Sequence, residues 1–270
     1  RCDTMPCNII PFVGACINMA EYGVLCKLPP CPIGHHDPVT EDTIGEHTKE
    51  TCVRGWDGVT ATGNFNQTTD CALKQEVNVR DSLEILGRPN LTVISANKNC
   101  RHFSIQDAAA NLTLRHLNLT GGFRGIADAT KTQAEHRGGS LFIHSTSGIV
   151  RVVVFSCLFQ GNQAWSGGSI FAQGESLGSV SLVFVDTDIT GNVAKKWGGG
   201  VYIESSGLSS AALTRSKITA NSQTLSDGGG GGIFVGRKAV VTLRESMLVK
   251  NKAQSGHHIM SMKAGEETPT

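Results

Sequence analysis

The chain has 270 residues, a net charge of +1, 39% hydrophobic residues, only 6% aromatic ones, and no basic run. Near-neutral charge without a basic patch removes the electrostatic footprint of nucleic-acid binding. The longest apolar stretch, residues 149–159, contains Arg151 and is too short to span a bilayer.

Taken from the front, residues 1–50 form a cysteine-rich segment with an apolar patch followed by a polar stretch bearing histidine and proline. An initial arginine rather than methionine reads as the mark of an upstream segment removed by processing or left out by design. A piece this small buries little core, so disulfides must staple it. It reads as a cap over one end of the repetitive part of the chain, with an independent recognition module as the other possibility. Cys2, Cys7, Cys16, Cys26, Cys31, Cys52, Cys71 and Cys100 are the disulfide candidates, in pairings that spacing alone leaves open. The ninth cysteine, Cys157, reads as lying within a strand, VVFSCLF, alternating with Phe155 and Phe159, and as a buried unpaired thiol. Four N-x-S/T sequons, at Asn66, Asn90, Asn111 and Asn118, lie within a short stretch. Sequons beside a cysteine framework point to a secreted or cell-surface glycoprotein in an oxidising compartment.

From residue 71 to residue 122, short alternating runs separated by turn residues predict strands, for example LTVIS (91–95), HFSIQ (102–106) and LTLRHLNLTGG (112–122). The last aligns with VTLRESMLVKN (241–251), placing Leu114 with Leu243, Arg115 with Arg244 and Leu119 with Leu248. Its turn position is glycine where the later copy has asparagine. Residues 123–137 then break the step by about ten residues, and insertions in a repeat stack project from one face.

Further on, two phrases repeat together. FQGN (159–162), ITGN (189–192), ITAN (218–221) and LVKN (248–251) place Asn162, Asn192, Asn221 and Asn251 at steps of 30, 29 and 30 residues. A glycine pair followed by a small residue and an aliphatic recurs as GGSL (138–141), GGSI (167–170), GGGV (198–201), GGGI (230–233) and a worn GHHI (256–259). Two phrases sharing one period mean one structural unit stacked on the last. The unit reads strand, turn, strand, glycine turn, strand, with no 3.6-residue apolar stripe. The fold predicted is all-β, a right-handed parallel β-helix over residues 51–270, clearest over 138–262, with rungs about 4.8 Å apart. The four asparagines are expected to stack at one corner, in left-handed turn geometry, with amides bonding neighbouring coils. Phe159, Ile189, Ile218 and Leu248 should form one inward ladder, and Leu141, Ile170, Val201, Ile233 and Ile259 another.

The pairing of FxxN with GGx[IVL], cleanest in FQGNQAWSGGSI (159–170), resembles the repeat of the polymorphic outer membrane protein family, a pectin-lyase-like β-helix. The resemblance covers about residues 112–262; the other copies have Ile or Leu at the first position, and Ser or Gly replaces the family's alanine after the glycine pair. It implies a passenger-type surface fold with an adhesive role.

Pectin-lyase-like folds include polysaccharide lyases and glycosidases, so catalytic carboxylates must be sought directly. Asp186 and Asp188 alternate along one run, with Asp227, Glu204 and Glu175 as further acids. Their counterparts one and two coils on are Arg215 and Lys217, then Glu245 and Met247. A mixed ladder of this kind reads as a solvated face with cross-coil charge pairs. The pairs His35–His36 and His257–His258 read as surface histidines, because adjacent strand residues face opposite ways and chelate poorly together. No catalytic, cofactor-binding or metal-binding residue is therefore assigned. Trp165 and Trp197 each precede a glycine pair and are expected side by side on adjacent coils, to stack a sugar, meet a protein or cover the solenoid edge. The last coil runs into polar residues without a further apolar run, which leaves its backbone for more chain or a partner to cover. The expected function is a non-catalytic secreted or cell-surface structural or adhesive module. Its partners would be other protein chains, by end-to-end self-association or in a larger extracellular assembly, with glycans a further possibility. The alternative is a carbohydrate-binding or polysaccharide-degrading enzyme of the pectin-lyase-like class.

Overall fold

The computed structural model describes Cys52 and residues 60–106, 109–124 and 136–262. The expected cap lies outside these residues, as do the middle of the 123–137 insertion and His35–His36.

One coil shows how the chain travels. Strand Leu158–Gln160 runs in a seven-stranded sheet, and the chain turns at Gly161 (φ 64°). Strand Gln163–Ser166 lies in a three-stranded sheet and turns at Gly167 (φ 60°). Strand Ile170–Val185 crosses an eleven-stranded sheet, bulging between Gly174 and Leu177, and turns at Asp186 (φ 51°). Asp188–Thr190 then pairs in parallel with Leu158–Gln160, and the next coil has begun. Among the described residues every strand pair is parallel, and the result is an all-β parallel solenoid with a coil of about 30 residues.

Both predicted ladders are present. Phe159 pairs with Ile189, Ile189 with Ile218 and Ile218 with Leu248, and Leu119 extends the row upstream. Leu141, Ile170, Val201, Ile233 and Ile259 are register partners in turn, preceded by Phe103. Leu114 belongs to the row Val154, Phe184, Leu213, Leu243, as its sequence alignment with Leu243 requires. Alternation drives this arrangement: inward positions are mostly Val, Ile, Leu, Phe or Ala, buried to within a few per cent through the middle coils. Ile259 and Leu243 in the last described coils are instead 39% and 37% exposed, so the expected inward row does not stay closed there. Removing one such interior leucine or phenylalanine costs about 2–5 kcal/mol.

One corner assignment needs correcting. The asparagines do not occupy the left-handed conformation. That falls one residue earlier, at Gly121, Gly161, Gly191, Ala220 and Lys250. Each asparagine then points inward, which a left-handed corner residue does not do. A second corner, not foreseen, places His116, Ser156, Asp186, Arg215 and Glu245 at φ between 48° and 55° on five successive coils. Left-handed geometry is strained for non-glycine residues. The next residue along supplies the compensation: Cys157 Sγ, Thr187 Oγ1, Ser216 Oγ and Ser246 Oγ each donate to the carbonyl two residues back, at 2.9–3.2 Å. The same hydroxyls accept across coils, Ser216 Oγ from Thr187 N–H and Ser246 Oγ from Ser216 N–H.

The glycine pairs serve two needs. The first glycine takes positive φ at 138, 167, 198, 230 and 256. The second stacks backbone on backbone: a Cβ at Gly168 would stand 2.1 Å from Gly199 O, and one at Gly199 2.2 Å from Gly231 O.

Candidate functional site

The inner corner carries the most ordered polar structure. Asn162, Asn192 and Asn221 are 0% exposed and Asn251 is 3%. Each of the first three donates both its backbone N–H and its Nδ2–H to the Oδ1 of the asparagine one coil on, at 2.9–3.0 Å. The second Nδ2 proton reaches back to a carbonyl of the preceding coil, for example Asn192 to Phe159 O at 3.0 Å. A buried amide that meets donors and acceptor together stays neutral and satisfied. This ladder is a scaffold element.

The charged outer face behaves as a mixed ladder. Arg215 Nε and Nη2 clamp the two Asp186 carboxylate oxygens at 2.8 Å each. The hydrogen-bonded guanidinium holds the Asp186 carboxyl below the usual carboxylate range, and Asp186 in turn raises Arg215. Asp188 is the register partner of Lys217. These four side chains, with Leu91 and Ser156, line an open cleft of about 380 Å³. Cys157 lies at its base, buried, and burial pushes its thiol up to about 12, so it is a poor nucleophile. Cys157 occupies the place that Thr187 and Ser216 fill in later coils, so it belongs to the corner and not to the interior of a strand.

The tryptophans are not neighbours on one face. Trp197 is only 7% exposed and packs on Phe234, ring centroids 4.8 Å apart. Its register partner is Ser166, because a bulge intervenes after Ala164. Trp165 is half-buried, with Lys195 Nζ 5.6 Å from its ring centroid. The extra residue of the bulge lays one tryptophan against Phe234 and leaves the other half-buried.

Trp197 seals a row of rings that sequence reading missed. Phe142, Phe171, Tyr202 and Phe234 stack on the outward side of the long sheet, 5.6, 4.6 and 4.9 Å apart. Arg101 lies over Phe142 at 4.6 Å and Arg137 over Phe171 at 4.7 Å. The signal was the residue after each aliphatic of the glycine phrase, aromatic in four consecutive copies. Two positions further along each strand, His144, Gln173 and Glu204 form a polar row. His144 Nε2 is 2.8 Å from Glu175 Oε1, Gln173 accepts from Arg137 at 3.0 Å, and the Tyr202 hydroxyl donates to Glu204. Burial pushes the Tyr202 phenol up and the Arg137 guanidinium down.

Upstream, Glu76 accepts from Arg101 Nε at 2.8 Å and also from Arg124. Burial lowers Arg101 to about 10 despite the pull of Glu76. Cys52 and Cys71 form a disulfide, Cys100 is buried, and Cys2, Cys7, Cys16, Cys26 and Cys31 lie outside the described residues. Asn66, Asn90 and Asn111 are exposed, whereas Asn118 sits within strand Leu117–Thr120 with its Oδ1 enclosed. His257 and His258 are exposed side by side, and His257 Nδ1 accepts from Ala253 N–H at 3.2 Å. Among the described residues no group of three or more His, Cys, Asp or Glu is arranged to hold a metal ion, and no helix is long and apolar enough to cross a membrane.

No family model, no curated protein and no solved structure matches this chain.

Proposed function

We propose that the chain is a non-catalytic structural or adhesive module of a secreted or cell-surface protein, a right-handed β-helix of the pectin-lyase-like kind with repeats like those of polymorphic outer membrane proteins. The observation that carries this reading is an aliphatic ridge at the bend of the long sheet. Leu177 is 81% exposed and Leu208 77%, on successive coils, with Ile149 at 43% nearby. Exposed leucines in serine- and glycine-rich bends, on a scaffold whose other aliphatics are mostly interior, suit contact with another protein. Two of the acids considered for acid–base chemistry, Asp186 and Glu175, are engaged with Arg215 and His144. The Cys52–Cys71 bridge is compatible with an oxidising compartment. Exposed sequons at Asn66, Asn90 and Asn111 fit a glycoprotein. Light scattering over a concentration series, with an assay of adhesion to cells, tests the reading. Leu177→Asp with Leu208→Asp should weaken assembly or adhesion without unfolding the chain. A wild-type chain that stays monomeric and adheres to nothing overturns it.

A second reading has its own observation. The row His144, Gln173, Glu204 beside stacked rings provides amide, imidazole and carboxylate groups at one spacing along a flat sheet. Such a strip suits a glycan, as ligand or substrate. Incubation with acidic and neutral polysaccharides separates the readings: release of reducing or unsaturated ends would make the chain an enzyme.

A further inference from the structure

The carbonyl at one inward position of the seven-stranded sheet is met in the same way on coil after coil. Leu119 O, Phe159 O, Ile189 O and Ile218 O each accept an Nδ2–H from the asparagine one coil on, at 2.8–3.1 Å. Ile94 is the preceding member of this row, paired with Leu119. The residue in asparagine register one coil on from Ile94 is Gly122. Its N–H donates to Asn162 Oδ1 at 2.8 Å, as Asn162 N–H does to Asn192 Oδ1. Glycine has no side chain with which to reach Ile94 O. The imidazole of His102 does so instead, with Nε2 2.9 Å from Ile94 O and Nδ1 3.0 Å from Ser140 Oγ. Even the second contact has its parallel, because Asn162 Nδ2 stands 3.5 Å from Ser169 Oγ, and Ser169 succeeds Ser140 in the same row of the next coil. His102 is 0% exposed. These partners fix the tautomer, with the proton on Nε2 and Nδ1 accepting from the serine hydroxyl.

We propose that His102 makes the junction between the coil of Ile94 and the coil of Leu119 a proton-operated clasp, which opens under mild acid while the asparagine-linked coils downstream stay closed. A proton on Nδ1 removes the lone pair that the Ser140 hydroxyl meets and places a charge in an enclosed site. The groups facing the ring are the Ile94 carbonyl from strand Thr92–Ser95, the Thr120 carbonyl from strand Leu117–Thr120, the Ser140 hydroxyl and the Phe103 ring, and none of these is charged. On its own stretch the charged neighbour is Arg101, ion-paired to Glu76, which Arg124 also holds. Burial lowers the imidazole to about 4, so protons enter on opening and not before. The opening constant of this junction then rises on the order of fifty-fold between about pH 7 and about pH 4.5. The amide links downstream contain no group that titrates there. In a solenoid each coil contacts only its neighbours, so one junction can open alone.

Amide hydrogen exchange on the intact chain, corrected for the intrinsic pH dependence of exchange, tests the clasp. Protection at Thr92–Ser95 and Leu117–Thr120 should fall on the order of fifty-fold on going to about pH 4.5, while Asp188–Thr190 and Lys217–Thr219 keep theirs. In His102→Gln, whose amide can still donate to Ile94 O but cannot titrate, the upstream loss should vanish. Equal losses in both regions, or the same pH response in wild type and His102→Gln, overturn the proposal. If His102→Gln does not fold, NMR of the wild-type imidazole decides. A ring that stays neutral in the folded chain to about pH 4.5 sustains the clasp, and one that titrates near its ordinary value of about 6.5 overturns it.

Discussion

Downstream of Gly122 a column of buried asparagines links each coil to the next, whereas upstream the equivalent place is held by the His102 imidazole, with the Arg101–Glu76–Arg124 group nearby in the same coils. Both arrangements satisfy buried backbone carbonyls. They differ in what else they bring. An amide supplies two donors and an acceptor without charge, so the same residue can be stacked coil upon coil with no accumulating electrostatic cost. An imidazole or a guanidinium meets the same carbonyl but imports a titration or an ion pair whose desolvation must be offset locally. Repetition therefore favours asparagine, and the departures from it mark where the solenoid responds to its surroundings.

The comparison can be broken most sharply in the downstream half. Gly168→Ala would drive a Cβ to 2.1 Å from Gly199 O and 2.6 Å from Val193 C, both backbone atoms that cannot step aside. The expected loss exceeds about 3 kcal/mol, read by denaturant unfolding followed by far-UV circular dichroism. Asn192→Ala comes next. It strands Phe159 O together with the N–H and Nδ2–H of Asn162 in the interior, for about 3 kcal/mol. Exchange protection should fall first in the two coils that flank residue 192.

In the upstream half the corresponding change is milder but depends on pH. His102→Ala should cost about 2 kcal/mol at neutral pH by stranding Ile94 O. The folded imidazole titrates at about 4, below its unfolded value of about 6.5. Its contribution is therefore complete above about pH 6.5 and fades as pH falls towards about 4, reaching about 3 kcal/mol in all. Unfolding midpoints of wild type and His102→Ala should converge as pH falls through that window, and their order should reverse towards about pH 4. Cys157→Ser should be the gentlest interior change, within about 1 kcal/mol. Serine and threonine already fill this position in later coils, with the same bond to the carbonyl two residues back. At the surface, Asp186→Asn should leave thermal unfolding unchanged within error, because both members of that ion pair are open to solvent.

Much of the scaffold was legible in the sequence for a physical reason. A stacked coil must repeat its tight corners and its inward aliphatics at one step, so Asn162 to Asn251 and the glycine pairs announce the period directly. The alignment of Leu114 with Leu243 carried that period one coil further upstream. What escaped has physical causes too. The phrase FxxN marks a corner but not which residue bends, so the left-handed position was assigned to asparagine when Gly161 and its counterparts hold it. Trp165 stands two residues before its glycine pair and Trp197 one, a single-residue difference that places Ser166, not Trp165, opposite Trp197. Cys157 reads as a strand thiol when its apolar run is taken alone, although it stands five residues before Asn162 as Thr187 and Ser216 do before Asn192 and Asn221. His102 gave no local signal at all. Its role stems from a side chain that is missing at 122.

The asparagine column has a direction. Asn162 gives its protons to Asn192, Asn192 to Asn221 and Asn221 to Asn251, never the reverse. Each coil is therefore finished by the one made after it. As the chain leaves a ribosome, the newest turn always carries donors still waiting for an acceptor, and stability trails synthesis by one full circuit. Assembly of this kind advances like knitting, in which every stitch is locked by its successor and the loose end is always the youngest.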